Sequence, residues 1–289
     1  MTQSALGNTL EQLYIQRSAR HLANDPLSFC HRYTKQEDRE TVAIISAAFA
    51  YGSVAVIKGS LERIFAKLGS SPADYLEKMD TKKALADFAG FRHRFNNGAD
   101  LVALLLAIKT MRQLAGSVEQ FFTRFHDQQA TTVEAGLCGY TNAVLAFDYS
   151  EIFGVKTLPK KSSFRFLFPS PASGSACKRL CMLLRWLVRP DDGIDLGIWK
   201  NVNKAQLIIP VDLHIRRISK LLGLTNRNNA DWRTACQITD NLRYFDPADP
   251  VKYDFSLCHL GISEGCTGSY GKACITCAVN KLCTSAAAN

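Results

Sequence analysis

Four cysteines near the C-terminal end constrain this chain more than any other feature. Cys266, Cys274, Cys277 and Cys283 are spaced C-x7-C-x2-C-x5-C, and with Cys258 they are half of the ten cysteines. A thiolate is a soft ligand, and four of them converging in one loop suit an iron–sulfur cluster or a zinc ion. A disulfide clasp is the competing reading. It agrees poorly with the opening residues Met1 to Gly7, which lack the basic and apolar pattern of a secretion signal. Thiols in a reducing compartment stay reduced.

The 289 residues allow one large or two modest domains, and a hydrophobic content of 47% is enough to build a packed core. No apolar run approaches bilayer length, so the expectation is a cytoplasmic protein with no membrane contact. Basic side chains outnumber acidic ones 35 to 26, for a net charge of +9. Such an excess favours a polyanionic partner through release of counterions from phosphates. No segment reads as a subunit interface, and a monomer is expected.

Helical periodicity runs through nearly the whole chain. Amphipathic segments begin at Leu10, reaching His21, and at Asp38, reaching Tyr51, the second with an acidic first turn that suits the helix dipole. Further helices are predicted over Val54 to Leu68, Ala99 to Leu114, Val118 to His126, Ala130 to Ala146 and Cys177 to Val188. Leu213 to Leu222, stopped by Gly223, Ala230 to Tyr244 and Pro250 to Leu260 complete the set. The one β-branched stretch, Gln206 to Val211, is short and broken by Pro210. The fold class is therefore all-α. Two stretches, Thr157 to Ser175 and Arg189 to Lys204, read as loops, and Ser285 to Asn289 reads as a frayed end.

Asp212 lies in IIPVDLHIRRISKLLGL, where an apolar approach meets a carboxylate and a basic amphipathic helix follows. Such an aspartate caps a helix well. A carboxylate held by backbone N–H groups also remains ionised and aimed, so a cap is compatible with a chemical role.

The segment Pro210 to Ile218 resembles the V-D-T/L-H-x-x-R segment of the helix-hairpin-helix DNA glycosylases, whose aspartate is the catalytic carboxylate. The cysteine array falls at the corresponding downstream place. Endonuclease III and its adenine-removing relatives carry a similar cluster loop, shorter by one residue in its first gap. His259-Leu260-Gly261 resembles the His-Gly pair that precedes that loop. A closer likeness, to a little-characterised bacterial family within this superfamily, rests on several segments. These are Asp25-Pro26, His31-Arg32-Tyr33, Ala50-Tyr51-Gly52, Phe91 to Phe95, Ser173-Gly174-Ser175 with Lys178-Arg179-Leu180, Asp195-Leu196-Gly197 with Trp199, and Pro247 to Tyr253.

The resemblance implies a two-lobed all-α glycosylase-like fold with a C-terminal [4Fe–4S] loop. One lobe is expected over residues 36–205, including the hairpin. The other combines residues 1–35 with 206–289. It further implies a DNA repair enzyme that flips a damaged base out of duplex DNA and excises it, with Asp212 and Lys178 as catalytic residues. Lys178 corresponds to the lysine that attacks the sugar C1′ in those members that also cut the strand. That role needs an amine with a depressed pKa, which burial beside Met182 and Leu183 is expected to supply.

Two departures stand out. The hairpin reads Ser170-Pro171-Ala172-Ser173-Gly174-Ser175-Ala176-Cys177-Lys178, one glycine short of the usual pattern. Lys178 also precedes Asp212 by 34 residues, a longer interval than is common. That interval resembles archaeal 8-oxoguanine glycosylases and favours an oxidised purine as the substrate.

On this reading Ser173, Gly174 and Ser175 contact the DNA backbone, as do Arg216, Arg217, Lys272 and Lys281, with Arg92 and His93 contributing. Trp199 is the leading candidate to stack on the flipped base, ahead of Phe164, Phe166 and Phe168. Cys266, Cys274, Cys277 and Cys283 hold the cluster, with structural zinc as the alternative. Cys258, Cys177 and Cys181 are expected to be buried thiols. A rival from another class is a non-catalytic DNA-binding or redox-sensing protein that keeps the fold and the cluster.

Overall fold

The computed structural model describes residues 3–16, 19–262 and 264–284. It is predominantly helical, as the periodicity requires. In chain order the α-helices are α1 (Gln3–Gln16), α2 (Gln36–Ala48), α3 (Val54–Leu68), α4 (Pro72–Lys78), α5 (Thr81–Asp87), α6 (Gly98–Ala115) and α7 (Val118–Thr123). They continue with α8 (Glu134–Leu145), α9 (Ser150–Phe153), α10 (Lys178–Val188), α11 (Leu213–Leu221), α12 (Trp232–Arg243), α13 (Asp254–Ile262) and α14 (Lys272–Ile275). A two-stranded antiparallel ribbon, β1 (Arg92–His93) and β2 (Asn96–Asn97), interrupts them. The segment Ser285 to Asn289 lies outside the described residues. Among the described residues no helix is long and apolar enough to cross a membrane.

The helix boundaries follow from local chemistry. Ser53 caps α3 by accepting the Val56 N–H, and Gly69 stops it at φ 74°. Asn97 and Asp100 form a capping box on α6. The first helix starts earlier than Leu10 because Leu6 and Leu10, one turn apart, are both buried. It ends at Gln16, and Asp25 then caps a short 3-10 segment, Pro26–Arg32, through the Leu27 N–H at 2.8 Å.

One apolar core runs through the molecule, from Leu6 to Val279. Helix α10 packs on α2, while α13 packs on α11 and on α1. The first and last thirds of the chain therefore meet around α10, which is buried along almost its whole length.

The segment after α10 is ordered by hydrogen bonds that are distant in sequence. The backbone N–H groups of Leu196 and Trp199 donate to the carbonyls of Trp186 and Leu187, at 2.7 and 2.8 Å. The end of α10 is thereby satisfied by the connector. Gly197, at φ 58°, allows this close return: a Cβ there would stand 2.7 Å from the Asp191 nitrogen. The carboxylate of Glu119 accepts the N–H groups of Lys200 and Asn201. What reads as a polar loop is a fixed, largely buried strap.

Candidate active site

Residues Leu207 to Val211 are buried, and the Ile209 N–H donates to Thr239 Oγ1 at 3.0 Å. This anchors the chain so that Asp212 emerges at the start of α11. Its Oδ1 accepts the N–H groups of His214 and Ile215, at 2.8 and 2.9 Å. Its Oδ2 stands 2.9 Å from Lys178 Nζ. The cap and the chemical candidate are one residue, with one oxygen serving each purpose. Both side chains remain partly exposed, 32% for Lys178 and 21% for Asp212.

Lys178 opens α10, and the segment before it is shaped for that placement. Ser170 caps a short turn over Pro171–Ser173, and Gly174 follows at φ 77°. The Gly174 carbonyl accepts the Trp232 N–H, and Ser175 bridges to Asp231. Cys177 takes the left-handed conformation at φ 48°, where a glycine is usual. No side-chain oxygen caps α10. Ser173 and Gly174 are exposed and Ser175 is half-buried. An exposed turn leading into an uncapped helix start leaves backbone N–H groups for an anion.

The ionisation of the pair differs from the expectation for Lys178. Burial depresses its ammonium, but the negative charges around it, Asp212 foremost, outweigh burial and hold its pKa above the ordinary lysine value. Burial likewise opposes ionisation of Asp212. Lys178 and the helix N–H groups outweigh it and keep that carboxyl below the usual carboxylate range. The resting site is therefore an ion pair rather than a free amine.

A buried ionic array lies further along α10 and leaves little trace in the sequence. Arg185 contacts Asp195 at 3.2 Å and Asp254 at 2.5 Å. Arg189 contacts Asp249 at 3.1 Å and also Asp195. Burial pushes the Asp254 carboxyl up to about 6, against the pull of Arg185. Asp254 and Asp212 interact electrostatically, as do Asp25 and Lys178, so the array and the site share one field. In the sequence, Asp25, Asp195 and Asp249 are distinguished only as parts of family-like segments. Their shared feature is a partner on α10 or its strap.

Several expected contacts are corrected. Trp199 is 2% exposed and donates its Nε1–H to Glu40 at 2.8 Å, so it is a core residue and offers no face to a base. Phe164 and Phe168 are buried, whereas Phe166 is exposed. Arg217 turns inward: it donates to the Cys266 carbonyl at 2.5 Å, contacts His214 Nδ1 at 3.2 Å, and lies against Gly268. Its role is to seat the cysteine loop, not to reach phosphate. His93 is fully buried between Ser60 Oγ and the Tyr51 carbonyl, each at 2.9 Å. Arg216 is half-buried, while Arg92, Lys272 and Lys281 are exposed. Cys177, Cys181 and Cys258 are thiols whose pKa burial raises.

Among the described residues no disulfide is formed. Cys266, Cys274, Cys277 and Cys283 line a single cavity of about 400 Å³, floored by Ile218, Leu222 and Leu260. Burial raises the Cys277 thiol, with Cys266 and Cys274 adding to the effect. Among the described residues, no three His, Cys, Asp or Glu side chains are grouped closely enough to hold a single metal ion. Four thiols lining one cavity are a donor set that fits an iron–sulfur cluster or a zinc ion alike.

A family model described as a protein of unknown function (DUF2400) matches residues 25–263. No curated protein and no solved structure matches. Asp25, Lys178, Asp212 and Asp254 fall within the matched residues, and the four loop cysteines lie beyond them.

Proposed function

The chain belongs to the DUF2400 family of proteins of unknown function, and on that footing we propose that it is a DNA glycosylase of the helix-hairpin-helix type, excising a damaged base from duplex DNA. The observation that carries this reading is the 2.9 Å approach of Lys178 Nζ to Asp212 Oδ2 across 34 residues of sequence. An ammonium and a carboxylate, both partly exposed, meet beside an uncapped helix start in a protein of net charge +9. That set suits a phosphate backbone and a sugar that develops positive charge.

The base is extruded from the stack and held at the pair. As the N-glycosidic bond breaks, its electron pair leaves with the base, and C1′ gains oxocarbenium character. Ionised Asp212 stabilises that charge. In the strand-cutting form, Lys178 passes a proton to the departing base, its amine bonds to C1′ as the glycosidic bond breaks, the C1′–O4′ bond then opens to leave a Schiff base, and β-elimination follows. In the form that only releases the base, Asp212 directs water and takes its proton. The raised pKa of Lys178 favours the second form at rest, because the amine must shed its proton before it can attack. An oxidised purine is the favoured substrate, on the strength of the long hairpin-to-aspartate interval.

In this reading residues 36–205 form one lobe and 1–35 with 206–289 the other; α13 packing on α1 and α11 supports the second lobe, whereas the Pro26–Arg32 segment packs on α2 across the boundary. Cys266, Cys274, Cys277 and Cys283 would hold a [4Fe–4S] cluster. When bound, it ties the loop into one rigid unit. The exposed Lys272 and Lys281 of that loop then face DNA phosphates.

Borohydride trapping against duplexes with different lesions tests the proposal. A covalent adduct that disappears in Lys178→Gln identifies the lesion and the nucleophile together. Base release without an adduct marks the water-directed form. No release from any lesion, with DNA binding intact, leaves the non-catalytic DNA-binding reading in its place.

A further inference from the structure

The ribbon β1–β2 is joined by a two-residue turn, Arg94 and Phe95. Arg94 holds φ 54°, a conformation costly for a residue with a side chain, and its chain lies against Gly52. The strain is held in place from below. His93 and Asn96, one on each strand, are fully buried, and the Tyr51 hydroxyl is bonded to the His93 carbonyl and to Asn96 Oδ1. The turn is thus a fixed projection.

It presents aromatic surface to solvent. Phe95 is 48% exposed and Phe166 is 41% exposed. Their rings meet edge to face with centroids 4.6 Å apart, and Tyr51 closes the group at 4.9 Å from Phe166 and 5.6 Å from Phe95. The Arg179 guanidinium lies 4.1 Å from the Phe166 centroid and is fixed by the Ala48 carbonyl at 2.6 Å. Arg179 directly follows Lys178, so the patch is joined to the first turn of α10. Exposed Arg92 and Arg94 flank it. Single exposed aromatics are ordinary, but two in contact, rigidly mounted and bordered by cations, are not.

We propose that Phe95 and Phe166 form a stacking platform for unpaired nucleotides. Bases offer π-faces to the rings, and Arg92 and Arg94 meet the phosphates of the same strand. A protein partner is less well suited, because the exposed cations Arg92 and Arg94 share the short ribbon with Phe95. The platform uses no atom of the Lys178–Asp212 pair, and it stands whether or not a base is excised.

The test is fluorescence anisotropy of the full chain with a labelled oligo-dT strand and, in parallel, a blunt undamaged duplex. Phe95→Ala and Phe166→Ala should each weaken oligo-dT binding about tenfold or more while changing duplex affinity less than about twofold. Phe95→Trp should retain wild-type affinity, and Phe95→Leu should not. Unchanged melting temperatures would show that the variants fold. Equal binding by wild type and both alanine variants would overturn the proposal, as would rescue by leucine or no binding of oligo-dT by wild type. Base excision that is lost in Asp212→Asn, together with intact oligo-dT binding in the alanine variants, would remove the platform and leave the enzyme. Platform behaviour without excision of any lesion would do the reverse.

Discussion

Lys178 Nζ and Asp212 Oδ2 stand 2.9 Å apart because each opens a helix, α10 for the lysine and α11 for the aspartate. A charge at a helix start inherits the direction of that helix. Here two starts converge, so the backbone sets the roots of both side chains and the lysine stem spans the remaining distance. The other aspartate oxygen is occupied by the N–H groups of α11, which fixes the plane of the carboxylate.

Asp212→Asn should abolish base release and retain duplex binding; it keeps the helix cap, since asparagine caps as well as aspartate, and loses the ion pair with Lys178. Asp212→Ala should lose the same activity and also about 1 kcal/mol of stability. Single-turnover release assays and urea melts separate the chemical role from the cap.

Lys178→Gln should raise the pKa of Asp212, because the strongest influence opposing burial is then gone. In wild type, the stability that Asp212 contributes is present above its unfolded value of 3.8 and is lost as pH falls through its lower folded value. NMR titration of the carboxyl carbon in both proteins reads the shift directly.

Asp254 acts with the opposite sign. Its folded pKa, about 6, exceeds the unfolded value of 3.8, so the native state binds its proton more tightly. That contribution is fully present below pH 3.8 and is lost as pH rises to about 6. Asp254→Asn should remove this slope. The difference between wild-type and variant unfolding free energies should move by up to ~3 kcal/mol over that window. Chemical melts at a series of pH values measure it.

Anaerobically purified protein should be brown and carry about four irons per chain. Cys274→Ala and Cys277→Ala should lose colour and iron. In apo protein, limited proteolysis should cut first within residues 266–283 and leave the rest protected. One zinc and no colour would assign the four thiols to the other centre.

Trp199→Phe should cost about 1 kcal/mol, because the buried Glu40 Oε1 loses one of its two donors and keeps the Glu119 N–H. Affinity for lesion-containing DNA, compared at a temperature where both proteins are folded, should not change. A selective loss of binding would return Trp199 to the base pocket.

The sequence displays the long helices because their caps and apolar stripes are local: α3 is legible at both ends from Ser53 and Gly69. The short helices α4 and α5 are missed although Pro72 stands in the first turn of one and Asp80 caps the other. Seven residues are too few for periodicity to register. The strap after α10 is a loop, as its composition suggests, but its burial is not legible. Ile194, Leu196, Ile198 and Trp199 are all buried. What orders it are partners far away in sequence, Glu40, Glu119 and the carbonyls of α10. The individual candidates Lys178 and Asp212 were visible, but their contact was not, since it depends on that strap. The arginine–aspartate array was equally hidden, because charges paired across long separations leave no periodic trace.

The strap also bears on where motion can occur. It is stitched to α10 at its beginning and to α7 at its end, so it has no free span with which to swing over Lys178 and Asp212. If the proposed function holds, the strap does not close over a substrate at that pair, and duplexes already weakened at the target should be admitted fastest.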